Sequence, residues 1–217
     1  MKGLFLTIIY WSCSCNSLQF ASYYQDRMVL QREPLSATIW GVGEILPGME
    51  VALYCEESGQ QRSVQKAAIL PSSDKEGVWE ATLPQQAGGA VCDIQVLGGE
   101  EEIILKEVSF GDVWFCSGQS NMVRGMDSIE NGTEEIIASA RYTDIRYSIV
   151  KRQPAPEEQD DAILTMPWSS PDDPSRLAAM SATCFLFARY IYDQINIPIG
   201  LVESAVGGTN IEAWSPP

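Results

Sequence analysis

No histidine occurs anywhere in the 217 residues. That absence removes the imidazole that takes a serine proton near neutral pH in a Ser-His-Asp triad, and it removes the commonest metal ligand. Cysteine is sparse as well. There are six, none spaced as Cys-x-x-Cys, which argues against a zinc site of the usual pattern. Positive charge is in short supply: 14 Lys and Arg stand against 29 Asp and Glu, a net charge of -15. Such a balance is repelled by nucleic-acid phosphates and by anionic membrane surfaces, so neither is expected as a partner. Beyond the first residues, no apolar run is long enough to span a bilayer.

What is present describes a soluble globular chain: 45% hydrophobic and 20% charged residues, enough to bury a sizeable core. Much of the acid lies in short clusters such as Glu100-Glu101-Glu102 and Asp172-Asp173, which read as solvated surface. Lys2 followed by the apolar run Leu4 to Trp11 and the small residues Ser12 to Cys15 has the layout of a secretory signal peptide, expected over residues 1–15. A buried first strand is the competing reading. Removing the signal leaves Cys55, Cys92, Cys116 and Cys184, an even number compatible with two disulfides in an oxidising compartment. Pairing within each half of the chain is the natural expectation, with buried free thiols as the alternative. Asn131-Gly132-Thr133 is an N-glycosylation sequon.

The fold class expected is α/β, in two parts. Residues 16–105 hold short alternating runs, among them Met49 to Cys55, Val78 to Leu83 and Ala90 to Val96, separated by Gly and Pro. That pattern predicts a β-sandwich-like domain. The pattern changes over residues 106–217. Phe110 to Phe115, Asp144 to Val150 and Ile199 to Val206 read as strands, and Met180 to Ile195 has the apolar spacing of an amphipathic helix. Residues after Met122 through Ala140 are expected to be helical, and Lys151 to Pro174 a long loop around Trp168. Strands alternating with helices predict a parallel sheet.

Two of these strands run into small-residue turns, Ser117-Gly118-Gln119-Ser120 and Gly207-Gly208-Thr209. In an open parallel sheet the carboxyl ends of neighbouring strands form one crevice. A hydroxyl in one turn and unobstructed glycine N–H groups in the other are the parts acyl transfer needs. The hydroxyl attacks a carbonyl, and the N–H groups hold the charge that develops on its oxygen. Ser120 is therefore the candidate nucleophile, and Gly207 and Gly208 are the candidate oxyanion donors. Ordinary turn chemistry is the competing explanation for both stretches.

Ser117-Gly118-Gln119-Ser120-Asn121-Met122 and Gly207-Gly208-Thr209-Asn210-Ile211-Glu212-Ala213-Trp214 resemble motifs of the sialate O-acetylesterase family, within the SGNH (GDSL-like) hydrolases. Met28 to Gln31, Ile39-Trp40-Gly41 and Phe110 to Trp114 are similar to the same family. The resemblance implies a serine carboxylesterase that removes O-acetyl groups from sialic acids or sialoglycans, in a lysosomal or extracellular setting, without metal or organic cofactor. It implies that Ser120 is the nucleophile and that the N–H groups of Ser120 and of Gly207 or Gly208 face the oxyanion. It implies a three-layer α/β/α domain over residues 106–217, of which this sequence would be the first part. Members carry a further Gln/Asn oxyanion block and a late Asp-x-x-His-like block, and neither follows the second motif here. The expectation is a chain with little triad catalysis and an exposed apolar sheet edge. Two other readings compete: a non-catalytic glycan-binding or decoy protein, and an acetylesterase acting on another polysaccharide such as xylan.

Overall fold

The computed structural model describes residues 17–56, 62–72, 77–153 and 155–215. The N-terminal run expected as a signal peptide lies outside them. The strands are β1 (Gln19–Phe20), β2 (Val29–Gln31), β3 (Thr38–Val42), β4 (Glu50–Glu56), β5 (Arg62–Ala68), β6 (Leu70–Pro71), β7 (Val78–Thr82), β8 (Val91–Gly98) and β9 (Glu101–Gly118). There follow α1 (Ser120–Val123), α2 (Gly132–Ser139), β10 (Ile145–Val150), β11 (Leu164–Ser169), α3 (Pro174–Ala179), α4 (Ala182–Ile195) and β12 (Ile199–Ala205). The chain is thus mixed α/β, with the helices gathered in its second half.

Two sheets form. The smaller runs β1-β3-β7-β6, and the larger runs β11-β10-β12-β9-β8-β4-β5, with β2 added to β9. β10, β12 and β9 are parallel to one another, and β11 closes the far edge antiparallel to β10. Alternation along β12 separates two cores. Ile199 and Leu201 face the helices and pack with Phe185, Tyr147 and Met180, while Val202 packs against a second cluster built around Trp79, Ile39, Leu53 and Trp168.

Cys55 and Cys92 lie opposite each other on β4 and β8 and are joined by a disulfide. A second disulfide joins Cys116 of β9 to Cys184 of α4. This is the pairing expected from chain position.

Three expectations are corrected. First, the strand expected over Phe110 to Phe115 is longer at both ends: β9 runs from Glu101 to Gly118, through the change in composition near Lys106. The polar Lys106-Glu107 pair is a bulge. Glu107 takes φ of 53°, its N–H donates to Asp93 Oδ1 at 3.0 Å, and the β8–β9 register shifts there. Second, residues after Met122 through Ala140 are not one helix. The chain is extended at Arg124 and Gly125, and Gly125 bridges to Ser181, so only a short 3-10 turn and α2 follow. Third, the segment Lys151 to Pro174, expected to be a long loop around Trp168, contains β11.

The entry to β12 comes close to β9 because residue 111 is glycine, and Gly200 leaves room for β2 packed over the sheet. A methyl group on Gly111 would collide with the Pro198 carbonyl oxygen, and one on Gly200 would come within 2.8 Å of Val29 Cβ. From that point seven consecutive residue pairs register β12 on β9, ending with Ala205 opposite Gly118.

Candidate active site

The register brings the two glycine turns to the same end of the sheet. Gly118 ends β9 with φ of 137°, a conformation that glycine tolerates and L side chains avoid. The chain then turns directly into α1, in which Ser120 is the first residue. Ser120 is exposed, and as a first helical residue its N–H has no intrahelical acceptor. Its hydroxyl donates to Gln119 Oε1 at 2.8 Å. That partner is a neutral amide, which orients the hydroxyl but does not take its proton near neutral pH.

At the end of β12, Val206 N–H donates to the Gly118 carbonyl at 2.9 Å and ties one turn to the other. The next residue faces the serine. A methyl group built on Gly207 would lie 3.6 Å from Ser120 Oγ and 3.9 Å from Ser120 Cα. Gly208 is different: it has φ of 81°, and a methyl there would meet nothing within 4 Å. Of the two glycines left open by the sequence, Gly207 is the one beside Ser120, and Gly208 supplies the turn. Thr209 closes that turn by donating to the Val206 carbonyl at 2.8 Å, and Trp214 Nε1–H donates to Thr209 Oγ1 at 2.7 Å.

The remaining site expected from the sequence, Asn131, is exposed at the N-cap of α2 in a left-handed conformation (φ 55°). Glu212 lies in a short 3-10 turn (Ile211–Trp214), and Asn121 accepts from Thr183 Oγ1 through its carbonyl at 3.4 Å.

Sequence patterning does not reveal the polar network that braces these turns. Glu203 of β12 is fully buried on the helix-facing side of the sheet. It accepts from the Ser181 N–H at 2.9 Å and from Arg152 Nη2 at 2.9 Å, and Arg152 Nε–H donates to the Ala205 carbonyl at 2.8 Å. Burial pushes the Glu203 carboxyl above the usual glutamate range, while these donors pull it back. Ser181 in turn caps α4 by accepting from Cys184 N–H at 3.2 Å, and its neighbours hold the segment after α1: Ala182 N–H donates to the Arg124 carbonyl at 2.8 Å. One buried carboxylate therefore braces the end of β12, the residues following β10 and the loop behind Ser120. A charged residue inside the apolar run Ile199 to Val206 was the available signal, because an unpaired glutamate there would be very costly.

Comparison with known proteins shows the family. Residues 110–217 match the family model described as a carbohydrate esterase, sialic acid-specific acetylesterase. Human sialate O-acetylesterase is 36% identical over 224 residues, covering 98% of this chain. The chain belongs to the sialate O-acetylesterase family. The mouse enzyme of that name is 39% identical over 207 residues, or 91% of this chain. Among solved structures, a carbohydrate acetylesterase from Xanthomonas citri superposes with a TM-score of 0.74 at 26% identity, covering 91% of this chain and 42% of that one. The chain spans 42% of the human sequence and 37% of the mouse sequence.

Proposed function

We propose that this polypeptide carries the nucleophile half of a serine esterase site that removes O-acetyl groups from sialic acids. The observation that carries the reading is the approach of Gly207 to Ser120 (3.6 Å from a Gly207 methyl position to Ser120 Oγ) at the carboxyl ends of adjacent parallel strands. In the reaction, Ser120 Oγ attacks the acetyl carbonyl. The Ser120 and Gly207 N–H groups stabilise the oxyanion, the serine proton ends on the departing sugar oxygen as the ester C–O bond breaks, and water then cleaves the acetyl-serine to acetate and free serine. The names of the curated relatives support a sialate substrate. The Xanthomonas citri neighbour, a carbohydrate acetylesterase, supports carbohydrate ester chemistry more broadly. We read the parallel strands and their helices as the first part of an SGNH-type three-layer domain, with the β-rich half as a sandwich-like module before it. Two disulfides and the exposed Asn131 sequon support passage through the secretory route, to the lysosome or the exterior.

With no histidine in the sequence, and Gln119 as the hydroxyl's partner, this chain alone has no imidazole to activate Ser120. Little turnover is therefore expected from residues 1–217 by themselves. The test is to fuse the chain to the downstream portion of the human relative, which extends beyond it, and to assay release of acetate from O-acetylated sialic acid. The fusion should turn over, Ser120→Ala should abolish that turnover, and the unfused chain should be slower by several orders of magnitude. Turnover that survives Ser120→Ala would remove the nucleophile assignment. Equal rates with and without the downstream portion would remove the requirement for an imidazole.

A further inference from the structure

A sialic acid carries a carboxylate, and a chain with a net charge of -15 repels it. The site therefore needs a directed cation beside Ser120, and neither glycine turn supplies one. We propose that Arg152 receives the substrate carboxylate and so selects an acidic sugar over a neutral one. The inference rests on the sialate esterase reading above and adds the residue that would make it selective.

β10 ends at Val150, so Arg152 stands just past its carboxyl end, as Ser120 and Gly207 stand past the ends of β9 and β12. The three strands are adjacent and parallel in the order β10-β12-β9. Two strand spacings put the ends of β10 and β9 about 10 Å apart. A sugar acid whose carboxylate and acetylated hydroxyl lie at opposite ends of the molecule can span that interval.

The orientation of the side chain suits the same task. A guanidinium has five N–H donors in a fixed plane. Here the Nε–H is spent on the Ala205 carbonyl and one Nη2–H on Glu203 Oε1. The described residues offer no acceptor to the remaining donors, on the terminal edge of the fork. Glu203 is 0% exposed while the Arg152 side chain is 45% exposed, so one edge is docked inward and the other reaches solvent. This is the arrangement for bidentate capture of a carboxylate by a preset fork. Glu203 offsets part of the arginine's charge, so recognition here comes from directed donors more than from net field.

Arg124 spends the same two donors as Arg152 and differs in being tied to the turn after α1, whereas Arg152 is tied to the end of the strand that leads to Gly207. Arg124 Nε and Nη2 both donate to the Ser128 carbonyl, at 2.8 and 2.5 Å. Lys151 lines a separate cavity with Gln159 and Asp161.

The test changes the ligand before it changes the protein. The chain is titrated with N-acetylneuraminic acid and with its methyl ester, and saturation-transfer NMR reads binding. The acid should bind, and the neutral ester should bind roughly tenfold or more weakly, the share expected of a charge-assisted pair. The double variant Arg152→Gln, Glu203→Gln leaves no orphaned buried charge and should bind the two ligands alike. Equal binding of acid and ester by the unaltered chain, no binding of the acid, or a double variant that still prefers the acid would each overturn the proposal. If the Ser120-dependent fusion described above remains active while acid and ester bind equally, Arg152 loses its role and the esterase reading stands. Turnover independent of Ser120 removes the esterase reading itself.

Discussion

Gly207 turns its bare Cα toward Ser120, at a separation where an added methyl would make ordinary contact, 3.6 Å, with the serine hydroxyl oxygen. The adjacent Gly208 has open space around it but a left-handed backbone, φ 81°. The two glycines are thus required for different reasons: the first keeps a side chain out of the space a substrate would use, and the second makes the turn possible.

That difference separates the two alanine variants. Gly208→Ala should lower stability by about 1–2 kcal/mol, the cost of placing an L side chain in the left-handed region. Gly207→Ala should stay within about 0.5 kcal/mol of the unaltered chain, since the added methyl clashes with nothing. Urea midpoints measure both. In the fusion that hydrolyses acetyl esters, Gly207→Ala should lower kcat/KM by obstructing Ser120. A larger stability loss for Gly207→Ala than for Gly208→Ala would contradict the assignment.

Glu203 gives a pH dependence with a definite sign. Its native pKa is raised, with burial as the largest cause, so the carboxyl holds a proton more tightly in the folded chain than in the unfolded one. The stability this group contributes is fully present below the ordinary glutamate pKa and is lost as pH rises through the native value. Glu203→Gln keeps an acceptor for the Ser181 N–H and cannot ionise. As pH rises from below the ordinary glutamate pKa through the raised native one, the variant should gain stability relative to the unaltered chain. Thermal melts across that range measure the difference, and a constant or falling gap would show that Arg152 and Ser181 compensate the burial fully.

The open edge of β9 predicts self-association. Among the described residues, its stretch from Asp112 to Gly118 pairs with β12 alone, and Val113 and Phe115 are 42% and 64% exposed beside it. An unpaired ladder flanked by apolar side chains is a template for another strand. Sedimentation velocity should show concentration-dependent oligomers, and Phe115→Lys should shift them toward monomer with a stability change within about 0.5 kcal/mol. A monomeric unaltered chain, or an oligomer indifferent to Phe115→Lys, would refute this.

Parts of this arrangement are legible in the sequence. Ser120 and the two glycines stand out because strand patterns end in turns too small to be anything but tight. Helix α4 is readable from its spacing, although the buried set is Ala182, Cys184, Phe185 and Ala188, while Phe187 is 40% exposed. Other parts are hidden by local composition. β11 carries Pro167 in its middle and follows a Pro- and acid-rich stretch, which speaks against a strand that pairing with β10 nonetheless imposes. β9 looks like two strands because its bulge is polar. Arg152 looks like one more solvated charge, and only the pairing of β10 with β12 places it near Glu203 and Ala205.

The unbroken run of β9 has one more consequence. The strand contributes to both the core around Trp79 and the core around Phe185, so the backbone passes from one to the other within a single element. From the bulge to Gly118 it forms a bar of roughly 35 Å, rising about 3.3 Å per residue. Ser120 is mounted at one end of that bar and the β-rich surface at the other. The β-rich half is therefore joined to Ser120 through the length of one strand and not through a linker.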